Sequence, residues 1–381
     1  MNTTQFLYGL YWKILGILNP DNQPNLFSWG VKKQIFAEDT KYYENLKTKL
    51  FDVELTTPIG ISADMDIDVT TMDALIQQGA GFCTFGSYTL RPIPDHKQTL
   101  YYKNGRKMNA LKQNLQEHDL TGSAVKLSQR RYLPHFVGIS MLSYNADEMK
   151  IGNGEERPGY LVEYELMTQK AAPSCDFLVI NISHPSMPLY QLLSDESSMR
   201  PLIETIQQTA QISAPISTPK ILLKVPYDIT PLEVKSLSQI ALKTGLDGII
   251  ISGHGSLQKN MRLVLSKGLD SLDESAFICG CVLRDGMIKL VQEFRKRTHG
   301  CIPLIASDSI KSGQDVFDLL AAGASAVEVG TLLFTQGPTA VQKLNAELSK
   351  ILREKGIRHI SDVIGINSPL DPNVQIEDLF N

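Results

Sequence analysis

At 381 residues the chain could form two average domains or one large α/β barrel with attachments. Its 43% hydrophobic and 20% charged residues exclude disordered, collagen-like and coiled-coil classes. A net charge of −4 gives no electrostatic ground for a nucleic-acid partner. The cysteines Cys83, Cys175, Cys279, Cys281 and Cys301 are odd in number and scattered, which argues for a reducing compartment and against a disulfide framework. Cys279-Gly280-Cys281 lacks the spacing of a zinc site, and no metal site is assigned from it.

In chain order, the first predicted element lies in FLYGLYWKILGILNP, where Phe6, Leu7, Leu10, Tyr11, Ile14, Leu15 and Leu18 share a helical face that stops at Pro20. The run is shorter than the roughly 20 residues a bilayer span needs. It also lacks the basic start and small-residue cleavage site of a signal peptide. Two readings stay open: a helix packed on its own domain, or an interfacial helix whose Tyr8 and Trp12 meet a membrane surface. The corresponding division places an N-terminal helical segment at 1–40 and a barrel domain at 41–381.

From Ile59 onward, short apolar runs alternate with segments of helical period. The runs are Ile59 to Ala63, Phe82 to Phe85, Phe136 to Met141, Phe177 to Ile182, Ile221 to Val225, Gly248 to Ser252, Ile302 to Ala306 and Ala326 to Val329. Predicted helices include Thr70 to Gln78, Tyr160 to Lys170, Met187 to Ala210, Pro231 to Thr244, Gly286 to Arg297 and Gly313 to Ala321. Eight such units predict a closed (β/α)8 barrel, with an open doubly wound sheet as the competing reading. Polar insertions at 90–131 and 253–285 follow the second and sixth strands, so both are expected over the C-terminal mouth where barrels bind ligands.

The residues after each strand should converge there. They are Asp64 and Asp66, Gly86 and Ser87, Ser140 and Ser143, Asn181 to Ser186, Lys224, Ser252 to His254, Asp308 and Ser309, and Gly330 and Thr331. Lys224 closes a buried strand, where desolvation calls for an anionic or acceptor partner; the alternative is an ammonium that snorkels to water. Small residues followed by Thr331 at the end of the eighth strand suit a phosphate cup, because backbone N–H groups and a hydroxyl can reach an anion.

TPIGISADMD, FGSYTLRP, DFLVINISHP, KILLKVPYDITP, GLDGIIIS, LRD and IPLIASDSIKSGQDVFDLLAAGASAVEVGTLLFTQGP occur in the order of the signature segments of the dihydroorotate dehydrogenases. The chain resembles that family over about residues 40–365, and with its N-terminal helical segment looks most like the quinone-linked, membrane-associated class. The resemblance implies an FMN-dependent barrel that oxidises dihydroorotate and passes electrons to quinone through a tunnel under the N-terminal helices. It implies a flavin or substrate contact at Ala63, Gly86, Ser87, Asn109, Asn181, Lys224, Ser252, Gly280, Ser309, Gly330 and Thr331. Asn109, Asn181, Ser186 and His254 fall at substrate-binding positions, and Lys224 would lie beside the flavin ring, where a fixed positive charge stabilises reduced FMN.

The departures are as many. Asp64 replaces a Gly against the flavin and Ile67 a Lys; Ser140, Ser186 and Gly253-His254 replace the asparagines, and an Asn-Thr pair, that hold the substrate. Asp308-Ser309 replaces the Gly-Gly that cups the phosphate, and Gly330 replaces a Tyr. Loss of several hydrogen-bonding groups predicts that dihydroorotate is not turned over efficiently. A carboxylate at Asp308 near a phosphate at ~4 Å meets a repulsion on the order of 4 kcal/mol per charge pair at intermediate dielectric. FMN retention is therefore left open.

His184 occupies the position of the family's proton-abstracting base, which is Ser in the quinone-linked class and Cys in another. An imidazole suits that role near neutral pH. It could instead hydrogen-bond a loop carbonyl, or join Asp64, Asp66, His254 and Asp308 around a divalent metal. Three functions follow: an FMN oxidoreductase of altered substrate with His184 and Lys224 as its catalytic pair, a barrel scaffold that has lost FMN and orotate binding, or a metal-assisted barrel enzyme. A small-molecule substrate, a quinone acceptor and a peripheral membrane contact through residues 1–20 on the cytoplasmic side complete the expectations.

Overall fold

The computed structural model describes residues 41–63, 76–90, 97–104, 107–114, 120–128, 136–150, 154, 156–183, 195–256, 259 and 277–374. The predicted N-terminal helix, Asp64, Asp66, Ile67, His184 and Ser186 lie outside the described residues.

A hairpin of β1 (Thr48–Leu50) and β2 (Val53–Leu55) precedes the barrel. The barrel strands are β3 (Ile59–Ile61), β4 (Phe82–Tyr88), β7 (Phe136–Met141), β10 (Phe177–Asn181), β11 (Lys220–Val225), β12 (Gly248–Ile251), β15 (Leu304–Ser307) and β16 (Ala326–Val329). They pair in parallel and close in the order β10-β11-β12-β15-β16-β3-β4-β7, so the predicted (β/α)8 barrel is the observed one. Below its inward residue nearest the mouth, each run is apolar or glycine on both faces, as a strand must be when helices cover one side and the barrel core the other. The hairpin was not anticipated. Its turn uses Phe51 and Asp52 at φ 50 and 67, residues that give no glycine signal.

Alternation assigns the two faces of each strand. Ile59, Ile61, Cys83, Phe85, Val137, Ile139, Leu178, Ile180, Leu223 and Val225 point outward and join the core shared with the helices. Phe82, Phe136, Phe177, Val179, Leu222, Ile250, Ile305 and Ala326 fill the interior, sealed at the N-terminal end by Leu50 and Leu55 with Phe51 against them. The Phe136 and Phe177 rings stack at 5.0 Å, and Phe51 lies 5.8 Å from Phe136. Gly60 and Gly138 are small because the rings of Phe82 and Phe177 occupy the space that a Cβ would take.

Helix boundaries follow local chemistry. Pro231–Thr244 begins with a capping box from Thr230 and Glu233, carries Pro231 in its first turn, and ends at Gly245 with φ 65. Gly313–Ala322 has the same kind of box, from Ser312 and Asp315. Glu196–Ser213 is capped by Asp195 and lies within the longer Met187 to Ala210 expectation, save for three residues beyond it.

A short hairpin of β8 (Glu148–Lys150) and β9 (Glu156–Pro158) follows β7, and the two insertions join in one accessory sheet. β5 (Lys97–Asn104) and β6 (Lys107–Asn114) come from the first insertion, β13 (His254–Ser256) and β14 (Phe277–Cys279) from the second, in the order β13-β14-β5-β6. Among the described residues no helix is long and apolar enough to cross a membrane.

Candidate functional site at the barrel mouth

A ring of polar residues, one from each barrel strand or the position just after it, lies above the apolar interior: Ser62, Thr84, Ser140, Asn181, Lys224, Ser252, Ser307 and Glu328, each at most 2% exposed. Two residues below each, one turn of the pleat toward the N-terminal end, the inward position is apolar or glycine. The mouth is thus a polar layer laid on an apolar plug. Sequence reading missed Ser62, Thr84, Ser307 and Glu328. A glutamate inside the apolar run AVEV was the available signal, since a buried carboxylate needs partners. Thr84 supplies one, donating its hydroxyl to Glu328 Oε1 at 2.5 Å. Ser62 and Ser307 hydroxyls lie 3.2 Å apart.

Several predicted residues are brought together. Asn181 Nδ2 donates to Ser87 Oγ at 2.8 Å, Ser87 Oγ lies 2.7 Å from Ser140 Oγ, and Asn181 Oδ1 accepts from the Ser183 amide and hydroxyl at 2.9 and 2.7 Å. This network fixes the ends of β4, β7 and β10. Gly86, at φ 104, packs so closely that a Cβ would lie 2.6 Å from the Ser140 carbonyl oxygen. Lys224 is 1% exposed, so the snorkelling alternative fails and its ammonium belongs to the interior.

Beside it, Ser252 Oγ accepts from the His254 amide at 3.3 Å. Across the accessory sheet, His254 pairs with Cys279, Cys279 with Tyr102, and Tyr102 with Asn109, so all four occupy one register row. Ala63 is buried at the end of β3, and Gly280 turns the chain after β14 at φ 82. Cys279 is a buried residue whose sulfur lies 3.4 Å from Thr331 Oγ1.

The ends of β15 and β16 form the cup expected to hold phosphate. Three of its donors are already engaged. Asp308 Oδ1 accepts from the amides of Gly330 and Thr331 at 2.8 and 3.0 Å, and Oδ2 accepts from Thr331 Oγ1 at 3.1 Å. Asp308 is 3% exposed, and His254 Nε2 stands 3.8 Å from its Oδ2. Asp308 and Ser309 turn at φ 56 and 64, a region that suits glycine. Gly253 allows this turn to close, since a Cβ there would meet the Ser307 carbonyl oxygen at 2.3 Å and Asp308 Cβ at 2.4 Å. Among the described residues no three His, Cys, Asp or Glu side chains converge on a point that could hold a metal.

A closed parallel barrel with a polar layer and an anion cup at the C-terminal mouth defines an α/β-barrel protein of the ligand-binding or catalytic kind. The sequence profile of the family described as "Dihydroorotate dehydrogenase" matches residues 45–352. The chain is similar to the "Dihydroorotate dehydrogenase (quinone)" of Erythrobacter litoralis, 25% identical over 321 residues, covering 84% of this chain and 88% of that one. It is 27% identical over 380 residues to the mitochondrial "Dihydroorotate dehydrogenase (quinone)" of Lachancea kluyveri, covering 93% and 84% of the two chains. In the solved structures, that of DHODH in complex with ferulenol from Eimeria tenella superposes with a TM-score of 0.75 at 21% identity, covering 92% of this chain and 96% of that one. The chain belongs to the dihydroorotate dehydrogenase family.

That family generally binds FMN, so the cup can be tested against the flavin phosphate. Two backbone amides and a hydroxyl that would hold a phosphate hold a carboxylate of the same chain instead. One group favours an anion: the Ser309 hydroxyl is fully buried and has no hydrogen-bond partner among the described residues. A hydrogen bond from it to a charged acceptor contributes about 1.5–3 kcal/mol. Placing a dianion against a nearly buried carboxylate costs about 4 kcal/mol per charge pair, before the loss of the carboxylate's own hydrogen bonds. The residues present do not fit the phosphate of FMN.

Proposed function

We propose that this chain is a member of the dihydroorotate dehydrogenase family that does not oxidise dihydroorotate with FMN, and that its polar mouth serves a different small molecule. The observation that carries this reading is the Asp308 carboxylate seated on the Gly330 and Thr331 amides. Ser140 and Gly253 stand where the family resemblance expects asparagines, so hydrogen bonds to a polar ring are missing as well. The expected outcome is colourless purified protein whose visible spectrum shows no flavin bands and does not acquire them on incubation with FMN. Protein that is yellow as purified, or that takes up FMN stoichiometrically and reduces a quinone with dihydroorotate, would sink the proposal.

A second reading is an FMN oxidoreductase of altered substrate, with quinone as acceptor. It is favoured by the retained Asn181 and Ser87, hydrogen-bonded to each other, and by the buried Lys224, which fall at positions that the family resemblance gives to flavin or substrate. His184 as proton acceptor, and Ser186 and Asn109 as substrate contacts, belong to this reading. The same spectrum separates the two.

The segment 1–40 is proposed as a unit distinct from the barrel at 41–381, touching a membrane surface on the cytoplasmic side through residues 1–20. The aromatic and aliphatic face of FLYGLYWKILGIL supports this. Removing residues 1–25 should abolish co-sedimentation with liposomes; unchanged sedimentation would refute the contact.

A further inference from the structure

Asp308 does more than oppose a phosphate. Its two carboxylate oxygens collect three donors, the Gly330 amide, the Thr331 amide and the Thr331 hydroxyl, at 2.8, 3.0 and 3.1 Å. That is the task of a bound anion's oxygens, carried out by a side chain that reaches across from the neighbouring strand end. The surroundings have adjusted to it. Asp308 takes a left-handed φ of 56 although glycine would adopt it more readily, and Gly253 is bare at the point where a Cβ would strike Asp308. His254 Nε2 lies 3.8 Å from Oδ2, near the same carboxylate but beyond hydrogen-bond reach.

We infer that Asp308 is a built-in surrogate for the phosphate, so that the cup is an anion site permanently filled by its own chain. Resting on the reading above, this sets the class of ligand that the mouth can take: one without a terminal phosphate. A carboxylate in such a place accepts from a hydroxyl and repels a phosphate, the same discrimination by which an acidic residue at a ribose selects a 2′-hydroxyl over a 2′-phosphate. It follows that the cup donors are competent for an external anion once the carboxylate is gone.

The test is chemical rescue. Asp308→Gly removes the carboxylate at a backbone conformation that glycine adopts freely, and Asp308→Asn keeps an acceptor oxygen in the cup. Thermal unfolding of wild type and both variants is followed against inorganic phosphate, with sodium chloride holding ionic strength constant. The surrogate role requires Asp308→Gly to melt several degrees below wild type and to recover saturably with millimolar phosphate, while wild type and Asp308→Asn respond to neither salt. Asp308→Gly should then also gain at least tenfold in affinity for FMN over wild type, read by quenching of flavin fluorescence. If Asp308→Gly gives no folded protein, Asp308→Ser, which also vacates the anion volume, is carried through the same titration. Phosphate insensitivity of the folded variant, or equal stabilisation of all three proteins, would overturn the inference. Stoichiometric FMN on wild type would overturn the functional reading instead, so the two failures are distinct.

Discussion

Gly253 stands where the family resemblance expects an asparagine, and the reason is visible only in contact with Asp308. A Cβ at 253 would approach the Ser307 carbonyl oxygen to 2.3 Å, and a backbone atom cannot swing aside as a side chain can. Gly253→Ala should therefore destabilise the barrel by about 1–3 kcal/mol, the usual cost of overpacking, measured by urea denaturation. Combined with Asp308→Gly the penalty should be partly relieved, because the Asp308 Cβ contact at 2.4 Å disappears while the Ser307 contact persists. A variant as stable as wild type would show that the segment around Ser307 moves freely. It follows that restoring the family's asparagine at 253 while Asp308 remains is sterically opposed. Chain order identified both residues as departures, but not that one makes room for the other.

Among the elements, those with strong local chemistry were legible. The helix Pro231–Thr244 matches its predicted bounds because Thr230, Pro231, Glu233 and Gly245 mark both ends in the sequence itself. β7 and β16 also match their predicted bounds. β15 begins at Leu304 rather than Ile302, since Pro303 lies between and has no N–H for a ladder. The hairpin of β1 and β2 was invisible because three-residue strands carry too little period and its turn uses Phe51 and Asp52. The accessory sheet was seen only as two polar insertions. Its order joins segments more than a hundred residues apart, through the pairing of β14 with β5, and local pattern carries no information about such a partner.

For the molecule as a whole, the response to alkali is set by tyrosines buried in the barrel's outer layer and loops. Burial, reinforced by the carboxylates of Asp228 and Asp285, pushes the Tyr227 phenol from 10.0 up to about 12. Burial likewise raises Tyr144 and Tyr164. In the unfolded chain these phenols release their protons near pH 10. Between about pH 10 and 12 the unfolded state therefore binds fewer protons than the folded one, and stability falls as pH rises. Urea midpoints measured across pH 9 to 12 should decline, and less steeply in Tyr227→Phe. Equal slopes in the two proteins would remove Tyr227 from the account.

The sequence by itself determined the alternation of apolar runs and helices, hence the closed parallel barrel, and it marked Ser140, Asn181, Lys224 and Ser252 at strand ends, half of the polar layer. It also marked Asp308 as a charge where a phosphate cup was expected. Only the tertiary structure decided what that charge does. The carboxylate just after β15 meets the amides just after β16, and Gly253, just after β12, admits it, so the outcome rests on distances between residues that are remote in the chain. The same holds for Glu328 and Thr84, whose hydrogen bond spans the barrel interior between strands that sequence order separates. Periodicity reports which face a residue takes; what that face meets is fixed by closure of the barrel.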